Sequence, residues 1–341
     1  MPFVQRRYAH YFIAVLAGLF FALLGRFTFA SELLNQGGGL LMLGFLVLIP
    51  LGLGAVTEHF APSADVKGFA FLWRPWLASI LFMVTAFVFH LEGFICLLII
   101  SPLYVVMSLL GAAFYRILTR NRPGPNGRRS TFIVAGFALL PFVAAPLESQ
   151  FAAPDDFRRV ENTILINAPV EAVWHNIIRV PAISAQDLGP SLIDKIGFPR
   201  PVEATLSFEG VGGVRHATFE RGVEFIETVD VWEPLRRISF SIVPNTATIP
   251  PTTFDEHVTV GGRFFDVLRG TYELQPAGPG QTRLILYSQQ RLSTRLNPYA
   301  GLWTDYVMSE IQARILRVVA KRSEAEAAQA TSASGIVSGR H

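Results

Sequence analysis

At 341 residues the chain is long enough for two domains, and with 51% apolar and only 16% charged residues it is too apolar for an ordinary soluble protein. Its net charge of +3 does not describe a nucleic-acid-binding face. Residues 1–150 hold 10 of the 29 Lys and Arg but only 5 of the 26 Asp and Glu, an excess that suits basic loops orienting membrane helices. The single cysteine, Cys96, excludes an intrachain disulfide and a cysteine-based metal site.

The solvent of the chain changes near residue 150. Before it, five apolar spans can be drawn: Ala9–Gly25, Leu40–Val56, Pro75–Leu91, Gly93–Tyr115 and Thr131–Pro146. A helix needs about 17–25 apolar residues to cross a bilayer, so the fourth crosses easily. The others are shorter and rely on flanking aromatics such as Tyr8, Tyr11, Phe27, Trp73 and Trp76. A cleaved signal peptide is the weaker account of the first span, because Arg26 precedes the small residues Ala30 and Ser31 where cleavage would fall. Residues 1–150 are therefore read as a transmembrane region of about five helices.

Arg6 and Arg7 precede the first span, and Arg116, Arg120, Arg122, Arg128 and Arg129 crowd the connection between the fourth and fifth. With five spans both groups fall on one side. The positive-inside rule makes that side cytoplasmic and puts the C-terminal half in the periplasm of a bacterial inner membrane. His90 and Glu92 read as headgroup-level residues of an outer turn, Glu58 and His59 need no special role, and Gly37-Gly38-Gly39 lacks the Lys and Ser/Thr of a phosphate loop.

Beyond residue 150 apolar and polar residues alternate. Val160–Ala168 reads as a strand, and Pro169 then opens a helix with Val170, Val173, Trp174 and Ile177 on one face. Strands follow at about Glu203–Phe208, Gly213–Phe219, Val223–Trp232, Arg236–Val243, Phe264–Leu274 and Thr282–Gln290, separated by Gly-, Pro- and Asn-containing turns. A helix over about Tyr299–Arg322 closes the domain, and the Ala-, Ser- and Gly-rich tail 323–341 reads as disordered.

Three stretches carry a family resemblance. They are Ile164-Leu165-Ile166-Asn167-Ala168-Pro169-Val170-Glu171-Ala172-Val173-Trp174; Gly210 to Arg215 with Gly222, Glu227 and Ile238-Ser239-Phe240; and Gly270-Thr271-Tyr272-Glu273-Leu274-Gln275-Pro276 with Gly280-Gln281-Thr282-Arg283. In order and spacing, residues 157–322 resemble the START-like, helix-grip superfamily, also called SRPBCC, which includes polyketide cyclase/dehydrase-like proteins. The resemblance does not reach the first 150 residues. It implies an α+β helix-grip domain, a curved antiparallel sheet around a long C-terminal helix with an apolar cavity between them. The fold class is then an α-helical multi-pass membrane region followed by that domain.

The residues support an apolar inner face independently. Val223, Phe225, Val229 and Val231 alternate with polar positions, and Glu227 interrupts the apolar set. A three-residue loop Glu220-Arg221-Gly222, with Gly222 left-handed, pairs Phe219 with Val223 and hence Arg215 with Glu227. That pair either fixes the polar end of a ligand or only sets strand register. Candidate ligand-binding residues are Arg215, Glu227, Phe225, Phe240, Asp266, Tyr272, Trp303 and Tyr306. Asp266 is included because it shares parity with Tyr272, which a bulge would change. His216 should point to the opposite face, and His257 lies in the connection Pro244–Gly262.

No Ser-His-Asp order, HExxH or metal-ligand spacing appears, so no catalytic set, metal or cofactor is assigned. The expected function is binding of a lipid, isoprenoid or polyketide-like molecule beside the bilayer, for transport or sensing. A membrane-bound cyclase, dehydratase or hydrolase and a ligand-free assembly module engaging partner membrane proteins are the alternatives. Nucleic acid is not an expected partner.

Overall fold

A computed structural model describes residues 2–36, 38–61, 70–120, 128–245 and 260–338. The chain forms two compact units, Met1–Pro154 with Thr294–Leu296, and Asp155–Ser293 with Asn297–His341.

The first unit is helical: α1 (Pro2–Phe29), the short α2 (Glu32–Asn35), α3 (Ile49–Phe60), α4 (Trp73–Val88), α5 (Phe94–Arg120) and α6 (Arg128–Glu148). Three segments are long and apolar enough to cross a membrane: Ala9–Phe29, Phe94–Thr119 and Ser130–Glu148, of 21, 26 and 19 residues. The second and third expected spans correspond to shorter apolar helices, Gly44–Phe60 and Trp73–Val88.

Packing explains the shortness of the first of these. Helix α3 lies at the centre of the unit, against α1, α4, α5 and α6, and Ile49, Pro50 and Gly52–Thr57 are buried. Glycine permits this: a Cβ on Gly54 would overlap the Ser108 carbonyl, and one on Gly111 would overlap the backbone of Leu51. A helix sheathed in other helices need not match the hydrocarbon thickness. Its run begins with one π-helical turn, Gly44–Leu48, and the Glu148 carboxylate accepts hydrogen bonds from the Leu43 and Gly44 amides at 2.7 and 3.0 Å.

Charged residues at the helix ends are paired. Glu92 meets Arg26 at 2.5 Å in the turn after α4. At the other end Glu58 accepts from Arg74 at 3.1 Å and lies 3.5 Å from Arg116, while the His59 ring bonds the Tyr115 hydroxyl at 2.7 Å. Glu58 and His59 thus have the partners that the reading of this segment did not give them.

The second unit is a seven-stranded antiparallel sheet ordered β1-β7-β6-β5-β4-β3-β2. Strands are β1 (Asp156–Ile166), β2 (Pro201–Leu206), β3 (Val214–Phe219), β4 (Glu224–Glu233), β5 (Arg237–Pro244), β6 (Phe265–Gly278) and β7 (Gln281–Leu292). Helices α7 (Val170–Ile178), α8 (Ala185–Leu188) and α9 (Leu192–Ile196) connect the edge strands β1 and β2, and α10 (Asn297–Ser338) closes the unit.

The six strands after α7 fall where the alternation placed them. Helix α7 buries Ala172, Val173, Trp174, Ile177 and Ile178, and Trp174 meets Trp232 edge-on at 5.2 Å. These join Val229, Ile238, Phe240, Tyr272, Leu284, Leu286, Leu316 and Val319 in one core between the sheet and α10. This is the helix-grip architecture that the resemblance implies. Bulges at Asp230 in β4 and Leu268 in β6 interrupt the register and bend the strands.

Three differences from the expected elements have local causes. Helices α8 and α9 were not expected; the Ser184 hydroxyl and Asp187 carboxylate cap α8 reciprocally, and Gly197, at φ 103°, ends α9. Helix α10 continues to Ser338, through most of the segment read as a disordered tail. Good helix formers (SEAEAAQA) extend it, and Glu324 and Glu326 tie it to Asn167 and to His175 and Asn176. Finally, the bulge at Asp230 reverses parity, so Trp232 rather than Val231 joins the core.

Candidate functional site

The site grows from one hairpin. The Phe219 amide donates to the Val223 carbonyl at 2.7 Å across Glu220–Gly222, where Arg221 and Gly222 both have positive φ. Counting back, Ala217 pairs with Phe225 and Arg215 with Glu227, the expected register. Both charges lie on the inner face, with Arg215 Nη1 2.5 Å from Glu227 Oε2 and side chains 5% and 12% exposed.

The next two strands complete the group. The Arg215 guanidinium stands 5.2 Å from the Phe240 ring centroid with the Tyr272 hydroxyl near enough to act on it electrostatically, and the Phe240 and Tyr272 rings meet edge-on at 6.5 Å. Thus β3, β4, β5 and β6 each contribute one side chain to a buried cluster. Arg215 Nε is buried and has no hydrogen-bond partner.

Electrostatics fix the protonation states. Burial disfavours the Arg215 cation, but the Glu227 carboxylate and the Tyr272 hydroxyl more than offset it and raise its pKa. Burial pushes the Tyr272 phenol up, Arg215 draws it partly back, and Glu227 raises it again. At neutral pH the cluster is therefore a fixed guanidinium with a protonated phenol beside it. Such a group can orient an anionic or hydrogen-bond-accepting end of a molecule on an otherwise apolar face.

The remaining candidates divide. Phe225 is half-buried and stacks edge-on with Phe219 at 5.3 Å, next to the Arg215–Glu227 pair in register. Asp266 is not on the inner face: the Leu268 bulge shifts parity, so Asp266 opposes Arg291 while Val267 and Tyr272 turn inward. Its Oδ1 is buried without a partner, and burial raises its pKa against the smaller pulls of the Val267 amide and Arg291. Trp303 is half-buried and Tyr306 is 40% exposed, and neither belongs to the core that holds Phe240 and Tyr272. His216 points to the opposite face, 2.8 Å from Glu224. His257 lies outside the described residues. Among the described residues no group of three or more His, Cys, Asp or Glu is placed to hold a metal ion.

Two polar sets between α10 and its neighbours were missed. Arg314 is buried and grips Asp194 of α9 with two bonds, 2.6 and 3.0 Å, while Arg200 meets the same carboxylate at 3.1 Å. Along the first half of α10, Arg158 and Gln290 bond Asp305, and Gln312 bonds Ser288, the Val160 carbonyl and Asn162. The signal was present as Asp305, Gln312 and Arg314 set among the apolar residues of the closing helix.

No protein-family model matches the chain, and no curated protein matches it. Solved structures similar to it include a norcoclaurine synthase point mutant from Thalictrum flavum, 12% identical, covering 50% of this chain and 96% of that one at a TM-score of 0.33. A protein from Thermus thermophilus is 16% identical over 50% of this chain and 99% of its own, TM-score 0.32. The Zhui aromatase/cyclase from a Streptomyces species is 15% identical over 49% and 94%, TM-score 0.30. These likenesses carry no ligand or reaction to this chain; its helix-grip fold rests on its own strand order and closing helix.

Proposed function

We propose that the C-terminal unit binds an apolar molecule with an anionic or hydrogen-bond-accepting end, such as a lipid, isoprenoid or polyketide-like compound, for transport or sensing at a bilayer that the N-terminal helices cross. The observation that carries this reading is the buried guanidinium of Arg215, framed by Phe240 and Tyr272, with one donor unused. Replacing a buried ion pair by apolar residues is often neutral or stabilising, so Arg215 and Glu227 are poor choices if stability is their only purpose. Apolar burial at about 25 cal/mol per Å² supplies the affinity before ordering costs, and the polar cluster sets the orientation. A membrane anchor keeps the domain at a high effective concentration of lipid-soluble molecules.

The test uses the full chain in detergent and in nanodiscs. Binding of the fluorescent fatty acid cis-parinaric acid is measured beside native mass spectrometry of co-purifying small molecules. Wild type should bind. Arg215→Met with Glu227→Leu, which leaves no uncompensated charge, should keep its thermal midpoint and lose about tenfold or more in affinity for the carboxylate probe. Unchanged affinity in that double variant, or no probe and no co-purifying molecule in wild type, would overturn the reading.

A further inference from the structure

The inner face of the helix-grip unit holds an unused acceptor as well as the unused donor of Arg215. Gln290 of β7 is 0% exposed. Its Nε2 donates to the Asp305 carboxylate of α10 at 3.1 Å, and because a carboxylate only accepts, the amide has one orientation. Its Oε1 is thereby left as a buried acceptor without a hydrogen-bond partner among the described residues.

Register places this acceptor across the inner face from Arg215. Arg215, Glu227 and Ile242 are paired along β3, β4 and β5, and Val267, Gln290 and Arg158 along β6, β7 and β1. The neighbouring pair Ser241–Arg269 joins the two runs into one row across the sheet. Gln290 lies four strands from Arg215, about 19 Å at about 4.8 Å per strand, the span of an extended long-chain acid.

Between the two, the sheet and α10 do not close on each other. Gln312 holds one flank of α10 to Ser288 of β7, and Arg314 holds the other to Asp194 of α9. At 3.6 residues per turn, Met308, Ile311 and Ile315 lie between those flanks on the side of the sheet. They stay partly exposed, whereas Gln312 and Arg314 are buried. On the sheet, Phe225, Glu227 and Ile242 are partly exposed too, although Ile238 and Phe240, earlier on the same face of β5, are buried. A largely apolar surface that solvent reaches therefore separates the free donor from the free acceptor.

We infer, resting on the ligand binding proposed for this unit, that its ligand is two-ended: an apolar chain whose anionic or accepting end meets Arg215 and whose far end carries a hydroxyl or amide donor for Gln290 Oε1. A site built to bond an O–H or N–H rejects analogues that lack it, because the buried acceptor then stays unpaired. Gln290 sets specificity at the end remote from Arg215, and Asp305 holds its amide in place.

The test is displacement of cis-parinaric acid from the full chain in detergent by three acids of equal chain length: hexadecanoic, 16-hydroxyhexadecanoic and 16-methoxyhexadecanoic acid. The hydroxy acid should compete about fivefold better than the other two, since a methoxy oxygen accepts but cannot donate. Gln290→Met removes the acceptor at similar volume and should bring the hydroxy acid to the level of hexadecanoic acid. The comparison of the three acids uses the unaltered protein, so it decides the matter even where the variant folds poorly. A hydroxy acid that competes no better than the others, or an advantage that survives Gln290→Met, overturns the two-ended ligand and leaves the carboxylate site standing. Competition by none of the acids overturns both.

Discussion

Asp266 shows how a single carboxylate sets a pH dependence. One of its oxygens is buried without a partner, and its pKa is raised chiefly by burial. An acid with a raised pKa costs stability once ionised; the cost is absent below its ordinary range and appears as pH rises through the folded value. Asp266→Asn is therefore expected to raise the thermal midpoint at pH 7, with the advantage shrinking to nothing as the pH is lowered to about 3. Scanning calorimetry across that interval checks it, and a lower midpoint at pH 7 would mean that Arg291 stabilises the charge. The same residue marks where the sequence stops being informative. Arg215 and Glu227 were legible because a three-residue loop and a period of two determine every pair behind them. Asp266 was not, because a bulge at Leu268 leaves no mark in the residue pattern and reverses all parities beyond it. Trp232 exchanged places with Val231 for the same reason.

At the scale of elements, the central helix α3 is governed by close approach. Its contact with α5 brings backbone to backbone at Gly54 and Gly111, where a side chain has nowhere to go. Gly111→Val is expected to destabilise the helical unit by about 1–3 kcal/mol or more, because an overpacked site against backbone relaxes poorly. The measurement is the thermal midpoint of the detergent-purified protein; Gly136→Val on α6, where a Cβ meets nothing within 4 Å, should leave it near wild type. Equal effects of the two variants would argue against close packing as the reason for the glycines. These contacts could not be read from hydropathy, which scores Leu51 or Gly54 alike whether the neighbour is lipid or protein. Strands were easier: their turns and alternation are local. Helices α8 and α9, too short for a periodic pattern, were visible only as Ser184 and Ser191 caps and Gly197.

For the whole molecule, charge at the helix ends argues for one orientation. Arg74, Arg116 and the start of α6 at Arg128 share one end of the helical unit, whereas at the other Arg26 is matched by Glu92 and joined by Glu148. By the positive-inside rule the basic end is expected in the cytoplasm, and we propose that five crossings carry the C-terminal unit to the opposite side. Three helices are long and apolar enough for such crossings, while α3 and α4 are shorter and on this proposal would cross as members of a packed bundle. The arrangement is testable in a Gram-negative host after Cys96→Ser removes the single native thiol. Thr163→Cys, exposed on β1, should react with a membrane-impermeant maleimide in intact cells once the outer membrane is permeabilised, and Asn126→Cys should react only after lysis. Labelling of Thr163→Cys only after lysis would mean an even number of crossings. In that case either α3 or α4 fails to span, and any ligand of the helix-grip unit is met on the cytoplasmic face instead.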